Sequence, residues 1–172
     1  MLRDIIELPD PRLARRSAEV PTIDAELRRL VDDMVETMYA ADGVGLAAIQ
    51  IAVPLRVFVV EPQRARVSEK EGWLCFINPV IEWRSDELET LDEGCLSVAR
   101  VPVMVKRAAR LRLRAADLDG SERVVEAEGF YARVLQHEYD HLEGRTVFDH
   151  AGPAKRQLIR KRMQKKKPDD DR

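Results

Sequence analysis

The sequence predicts an α+β fold in which mixed or antiparallel strands pack around a central helix carrying an H-E-x-x-H pattern, with a further helix toward each end of the chain. Three observations predict it. Apolar residues recur at helical spacing over residues 24–41 and again over 130–142. Between these stretches the apolar runs are short, several alternate with charges, and turn residues bound them, as expected of strands. The strands are grouped together with helices at the edges, an order that favours α+β over alternating βαβ units.

At 172 residues, 45% hydrophobic and 35% charged, the chain is long enough for one domain with its own core. No repeat or linker interrupts residues 1–167, which read as a single catalytic domain, and 168–172 read as a disordered tail. Cys75 and Cys95 are too few for a disulfide framework and read as reduced, structural or metal-binding. Asp4, Glu7 and Pro9 interrupt any apolar leader, and no stretch approaches membrane-spanning length. A cytoplasmic monomer without a membrane partner is expected. The formal charge of −2 says little, but basic residues crowd toward the C-terminus.

In chain order, Ile5-Ile6 is an extended lead, and Asp10-Pro11 sets an N-cap before a proline suited to a first helical turn, so a short helix through Leu13 follows. Leu27, Leu30, Val31, Met34, Val35 and Met38 mark a long amphipathic helix to about Ala41. Asp42-Gly43-Val44-Gly45 breaks it, and the small residues before Gln50 leave room for another backbone. Residues 56–60 form a strand, 63–72 a charged surface loop, and 74–77 a strand closed by Asn78-Pro79. Residues 88–91 lead into a turn at Cys95, and 101–105 are extended. Leu111, Leu113 and Ala115 alternate with arginines, and Asp119-Gly120 turns the chain toward Val124-Val125 in a hairpin that feeds the 130–142 helix. From Pro153 a last helix turns Ala154, Leu158, Ile159 and Met163 inward.

At about 3.6 residues per turn, His137 and His141 lie one above the other on one helix face, so two imidazoles converge on a single ion, with Gly144 as the helix stop. Glu138 lies beside that ion, where a carboxylate takes a proton from water. The third ligand decides the class. In the extended protease pattern H-E-x-x-H-x-x-G-x-x-H the last histidine falls on Val147, and no glutamate follows Glu143. Cys95 is the better candidate, presented after a glycine in a turn, where a thiolate binds a borderline-soft ion. Asp149 and His150 are the lesser candidates, and Cys95 as a small buried hydrophobe is the bland alternative.

Gly43-Val44-Gly45-Leu46-Ala47-Ala48-Ile49-Gln50, Glu93-Gly94-Cys95-Leu96-Ser97 and Gln136-His137-Glu138-Tyr139-Asp140-His141-Leu142-Glu143-Gly144 together resemble the three signature motifs of peptide deformylase, in order and with matching spacing. The resemblance covers nearly the whole chain. It implies removal of the N-formyl group from the formylmethionine of new bacterial or organellar polypeptides, with release of formate. It assigns one divalent ion to Cys95, His137 and His141, and the acid/base role to Glu138. It makes Gln50 and the Leu96 N–H oxyanion donors, and pairs Val44, Gly45 and Gly94 with the substrate backbone. Fe²⁺ is the implied ion, and a His₂Cys set also suits Zn²⁺, Ni²⁺ or Co²⁺. Two other readings stay open. One is a metalloprotease of broader specificity; the other is a non-enzymatic RNA-binding module with a structural site of Cys75, Cys95, His137 and His141.

The chain departs from the family at two places. Ala99 stands where many members have proline, followed by Arg100, and Ile49 stands where proline or threonine is frequent. Arg107 matches an arginine positioned to pair with Glu93 and hold the cysteine turn. Arg133, one turn before His137, falls on the side of the methionine pocket, with its stem packed and its head expected in solvent. Lys155, Arg156, Arg160, Lys161, Arg162 and Lys165 to Lys167 make the last helix a candidate ribosome-binding element, which Asp169 to Asp171 would oppose.

Overall fold

The structure, a computed structural model, describes residues 1–67 and 72–165. Asp10 accepts the Arg12 N–H at 2.9 Å and opens a 3₁₀ turn over Pro11–Ala14. Asp24 accepts the Leu27 N–H at 2.9 Å and opens α1, Ala25–Ala40, whose stripe of Leu27, Val31, Met34 and Met38 is buried. β1, Gly45–Ala47, follows at once, with a 3₁₀ turn over Ala48–Ile51. Then come β2, Val57–Val60; β3, Leu74–Arg84; β4, Leu88–Glu93; β5, Val103–Ala108; β6, Arg110–Ala116; and β7, Glu122–Glu128. The helices α2, Gly129–Leu142; α3, Val147–His150; and α4, Pro153–Lys165 complete the order.

The strands form an antiparallel five-stranded sheet in the order β1-β2-β3-β6-β7, and β4 and β5 pair separately. β2 shows why its run is apolar throughout. Val57 and Val59 point into a core shared with α1, whereas Phe58 and Val60 point into a core shared with α2, so both faces of the sheet are covered here. β3 outlasts its expected end at Asn78-Pro79. Its register slips between Ile77 and Val80, which places the N–H-less Pro79 where the ladder is already broken. Asn78 takes φ 49° and clasps Val20, donating to its carbonyl at 2.9 Å and accepting its N–H at 2.8 Å.

A third core joins the cysteine turn to the end of the chain: Cys95, Val98, Val101 and Val105 pack with Val147 and Ile159. Val147, where the extended protease pattern needs a histidine, is thus an apolar anchor. Of the four α4 residues expected to face inward, Ile159 is buried and Met163 half-buried, while Ala154 and Leu158 face solvent, because the helix lies on this core along a single stripe. Residues 68–71 of the expected 63–72 loop, Lys166, Lys167 and the tail lie outside the described residues. No described helix is long and apolar enough to cross a membrane.

Candidate active site

Helix α2 leaves β7 directly and is keyed to β5 by Gln136, whose amide donates to the Ala108 carbonyl at 2.9 Å and accepts the Ala108 N–H at 3.2 Å. That clamp sets the rotation of the helix, so His137 and His141 face the turn after β4. Their ring centroids are 5.1 Å apart at 69°. The helix stops at Gly144, φ 73°, where a Cβ would sit 2.5 Å from the Ala14 carbonyl.

Cys95 arrives from the end of β4. Its Sγ lies 3.5 Å from His141 Nε2, and one ligand atom from each of Cys95, His137 and His141 lies within 4.8 Å of the others. A thiol and two imidazoles at that spacing fit a tetrahedral ion of the zinc or iron type. His137 Nδ1 is 2.9 Å from Glu93 Oε1, which leaves Nε2 as the nitrogen that would meet an ion. Burial, with His137 alongside, pushes the His141 pKa down to about 3, so its ring stays neutral and able to ligate. Burial opposes charge on His137, but the Cys95 thiol and the Glu93 carboxylate outweigh it and raise its pKa.

Glu93 is the buried hub behind the ligands. Arg107 grips both its oxygens, at 2.7 and 2.9 Å, and reaches Asp140 at 2.8 Å. Arg133 adds a second guanidinium, donating to Glu93 at 2.6 Å, to the Val105 carbonyl at 2.8 Å and to the Glu89 carbonyl at 2.8 Å. The Arg133 head is therefore buried, not in solvent, because a desolvated carboxylate and two β-strand carbonyls draw it in. Burial would raise the Glu93 pKa, but His137 and Arg107 overcome that and hold it low.

Glu138 is 4% exposed, and its Oε2 has no hydrogen-bond partner within the protein. Burial pushes its pKa up to about 7. The Gly45 backbone lies against this carboxylate, and a Cβ there would come within 2.7 Å of Oε1. Gln50 is held at both ends of its amide, accepting the Ala47 N–H at 3.0 Å and donating to Ser97 Oγ at 3.1 Å, with Nε2 3.9 Å from Cys95 Sγ. A cavity of about 460 Å³ opens between residues 41–45 and 92–96. Val44, Gly45, Gln50, Gly94, Cys95, Leu96, Arg133, His137 and Glu138 line it, and His141 is fully buried.

The polypeptide deformylase family model matches residues 2–157. The chain belongs to the polypeptide deformylase family. The chain is 46% identical over 164 residues to the peptide deformylase of Phenylobacterium zucineum, covering 95% of this chain and 96% of that one. To the peptide deformylase of Agrobacterium fabrum it is 44% identical over 164 residues, 95% of each. The crystal structure of peptide deformylase from Ehrlichia chaffeensis in complex with actinonin matches with a TM-score of 0.90 at 38% identity, covering 97% of this chain and 98% of that one. The Thermotoga maritima structure matches with a TM-score of 0.81 at 37% identity, covering 89% and 99%.

Deformylases are metal-dependent, and the Cys95, His137 and His141 cluster is the candidate site in this one. Asp149 instead accepts the Thr146 N–H at 2.8 Å, and His150 bonds Asp140 at 3.0 Å, so neither reaches the cluster. Cys75 lies in the core under α1, outside the cluster, with its pKa pushed up to about 12 by burial. The sequence reading missed Ser97, Gln136 and Asp140. Asp140 was detectable as the acid between the two histidines, whereas Ser97 and Gln136 act through contacts 47 and 28 residues away.

Proposed function

We propose that this deformylase removes the N-formyl group from the N-terminal formylmethionine of new polypeptides, releasing formate, with Cys95, His137 and His141 holding one divalent ion. The observation that carries this reading is the convergence of a thiol and two imidazoles within 4.8 Å, beside the buried carboxylate of Glu138, at the floor of an open cavity. An ion held there would supply Lewis acidity toward water and the formyl oxygen. Glu138 accepts the proton of the attacking water and delivers it to the leaving amine, roles that a pKa of about 7 suits at neutral pH. Gln50 Nε2 and the Leu96 N–H donate to the oxygen that gains charge in the transition state, an interaction whose loss typically costs roughly 10²–10³ in turnover. β1 is a sheet edge, so Val44 and Gly45 on one wall and Gly94 on the other offer backbone groups to an extended peptide. Arg133 and Val134 line the cavity near His137, where the methionine side chain would lie.

The donor set accepts Fe²⁺, Zn²⁺, Ni²⁺ or Co²⁺; we take Fe²⁺ as the physiological ion on the family resemblance. Thiolate-ligated iron should make the Fe²⁺ form lose activity in air or peroxide faster than the Ni²⁺ or Zn²⁺ forms. Action on nascent formyl-methionyl chains supports a cytoplasmic location near the ribosome. Exposed Lys161, Arg162 and Lys165 on α4 support weak ribosome binding that falls as salt rises. Removing α4 would also withdraw Ile159 from the core beneath Cys95, so charge reversal at those three residues is the cleaner test. Unchanged co-sedimentation of the reversed protein would assign α4 to stability alone. The whole reading is tested by formate release from a formyl-methionyl peptide amide. Iron- or nickel-loaded protein that releases none would refute it.

A further inference from the structure

Val98 and Val101 anchor the turn after the metal-site cysteine, both buried in the third core, with the Val101 N–H donating to the Val98 carbonyl at 3.2 Å. Between them Ala99 and Arg100 both take left-handed backbone, φ 44° and 51°. Consecutive non-glycine residues in that region are uncommon and persist where the surroundings impose them, often at ligand sites. A proline at the position of Ala99 would have its φ locked near −65° and could not adopt this turn. The alanine therefore permits a conformation that throws Arg100 outward, and Arg100 is exposed and lines the cavity.

The charges around the cavity isolate this guanidinium. Glu93 is held by Arg107 and Arg133, Asp42 by Arg64 at 2.8 Å, and Arg133 by three acceptors. Among the described residues, no hydrogen bond or ion pair engages Arg100, and the other unpaired charge besides Glu138 is the exposed carboxylate of Asp92. Leu96, four residues earlier on the same wall, approaches Gly43 on the other, and Arg100 lines the same cavity as Cys95, His137 and Glu138.

We propose that Arg100 is a specificity-determining residue that pairs with a carboxylate on the peptide downstream of its formylmethionine, an acidic side chain at the second or third residue. This deepens the deformylase reading and rests on it. Arg100 favours the acid over its neutral amide isostere by a fold-change of the size exposed ion pairs give, roughly two- to fivefold in kcat/KM, shrinking as salt rises. A free C-terminal carboxylate on a short peptide presents the same chemistry, so C-terminally amidated peptides isolate the side chain and free-acid peptides measure the terminus.

The test compares kcat/KM for amidated formyl-Met-Asp-Ala and formyl-Met-Ala-Asp with their asparagine counterparts, in wild type, Arg100→Gln and Arg100→Glu. Because each ratio is taken within one protein, a general loss caused by disturbing the turn cancels. The acid-to-amide ratio should exceed one in wild type, approach one in Arg100→Gln and fall below one in Arg100→Glu. A wild-type ratio of one, or a ratio that survives in Arg100→Gln, overturns the proposal, as does a preference seen only with free-acid peptides. Formate release from none of the peptides would overturn the deformylase reading itself, and this inference with it.

Discussion

Adding one methyl group at Gly45 tests whether the placement of Glu138 controls turnover. In Gly45→Ala the new Cβ would meet Glu138 Oε1 at 2.7 Å and Cδ at 2.9 Å, against ordinary contacts from 3.4 Å, so the carboxylate must retreat by roughly 0.7 Å. The obstacle is the end of a side chain and not backbone, so β1 keeps its pairing with β2 and the melting temperature should move by no more than a few degrees. Misplacing a catalytic group by about 1 Å costs up to roughly 10²-fold, and we expect kcat to fall by roughly 10- to 10²-fold with one ion per chain retained. Gly152→Ala, away from the cavity, is the control, since a Cβ there meets nothing within 4 Å and the fold should not notice it. Metal content, thermal melting and formate-release kinetics on the three proteins settle the matter. A metal-loaded Gly45→Ala protein with wild-type kcat would refute the assignment of Glu138 as the positioned acid/base.

Glu138→Gln should keep its metal, because the ligands are untouched, yet lose roughly 10²–10⁴ in turnover; near-normal formate release would end the mechanism. Cys95→Ser should lose or greatly weaken metal binding, whereas Cys75→Ser should keep one ion per chain, since Cys75 is core; equal loss in both would contradict the three-residue cluster. Metal-stripped protein should show a pH signature of Glu138. The folded carboxyl, pushed to about 7 from an ordinary 4.5, keeps a proton that the unfolded chain has released. Stability should therefore fall as pH rises between those values, by on the order of 3 kcal/mol, and Glu138→Gln should flatten that fall. Urea midpoints for the two metal-free proteins at both ends of this window would show it, and identical slopes would count against a buried, neutral Glu138.

Much of this protein is written locally in its sequence. The 3.6-residue period alone puts His137 and His141 on one helix face, Asp24 caps α1 through a residue three positions on, and β2 reads as a strand because both its faces are covered. The α+β class and the family motifs follow from such short-range patterns. What the pattern could not decide depends on groups brought together from distant segments. β3 continues through Asn78-Pro79 because Asn78 clasps Val20, 58 residues away. Arg133 sits at a helical position suited to a solvent-reaching arginine, but it turns inward to Glu93, 40 residues earlier, since a buried carboxylate attracts every cation within reach. Ala154 and Leu158 read as inward from spacing but face solvent, because the third core is only wide enough to cover Ile159 and part of Met163. The glycine turn before Cys95 already favoured it over Cys75 as a ligand, but its distance to the histidines is tertiary. Both are buried thiols near apolar residues, and only the fold sets one beneath α1 and the other 3.5 Å from His141 Nε2, because ligation depends on convergence in space that no local pattern encodes.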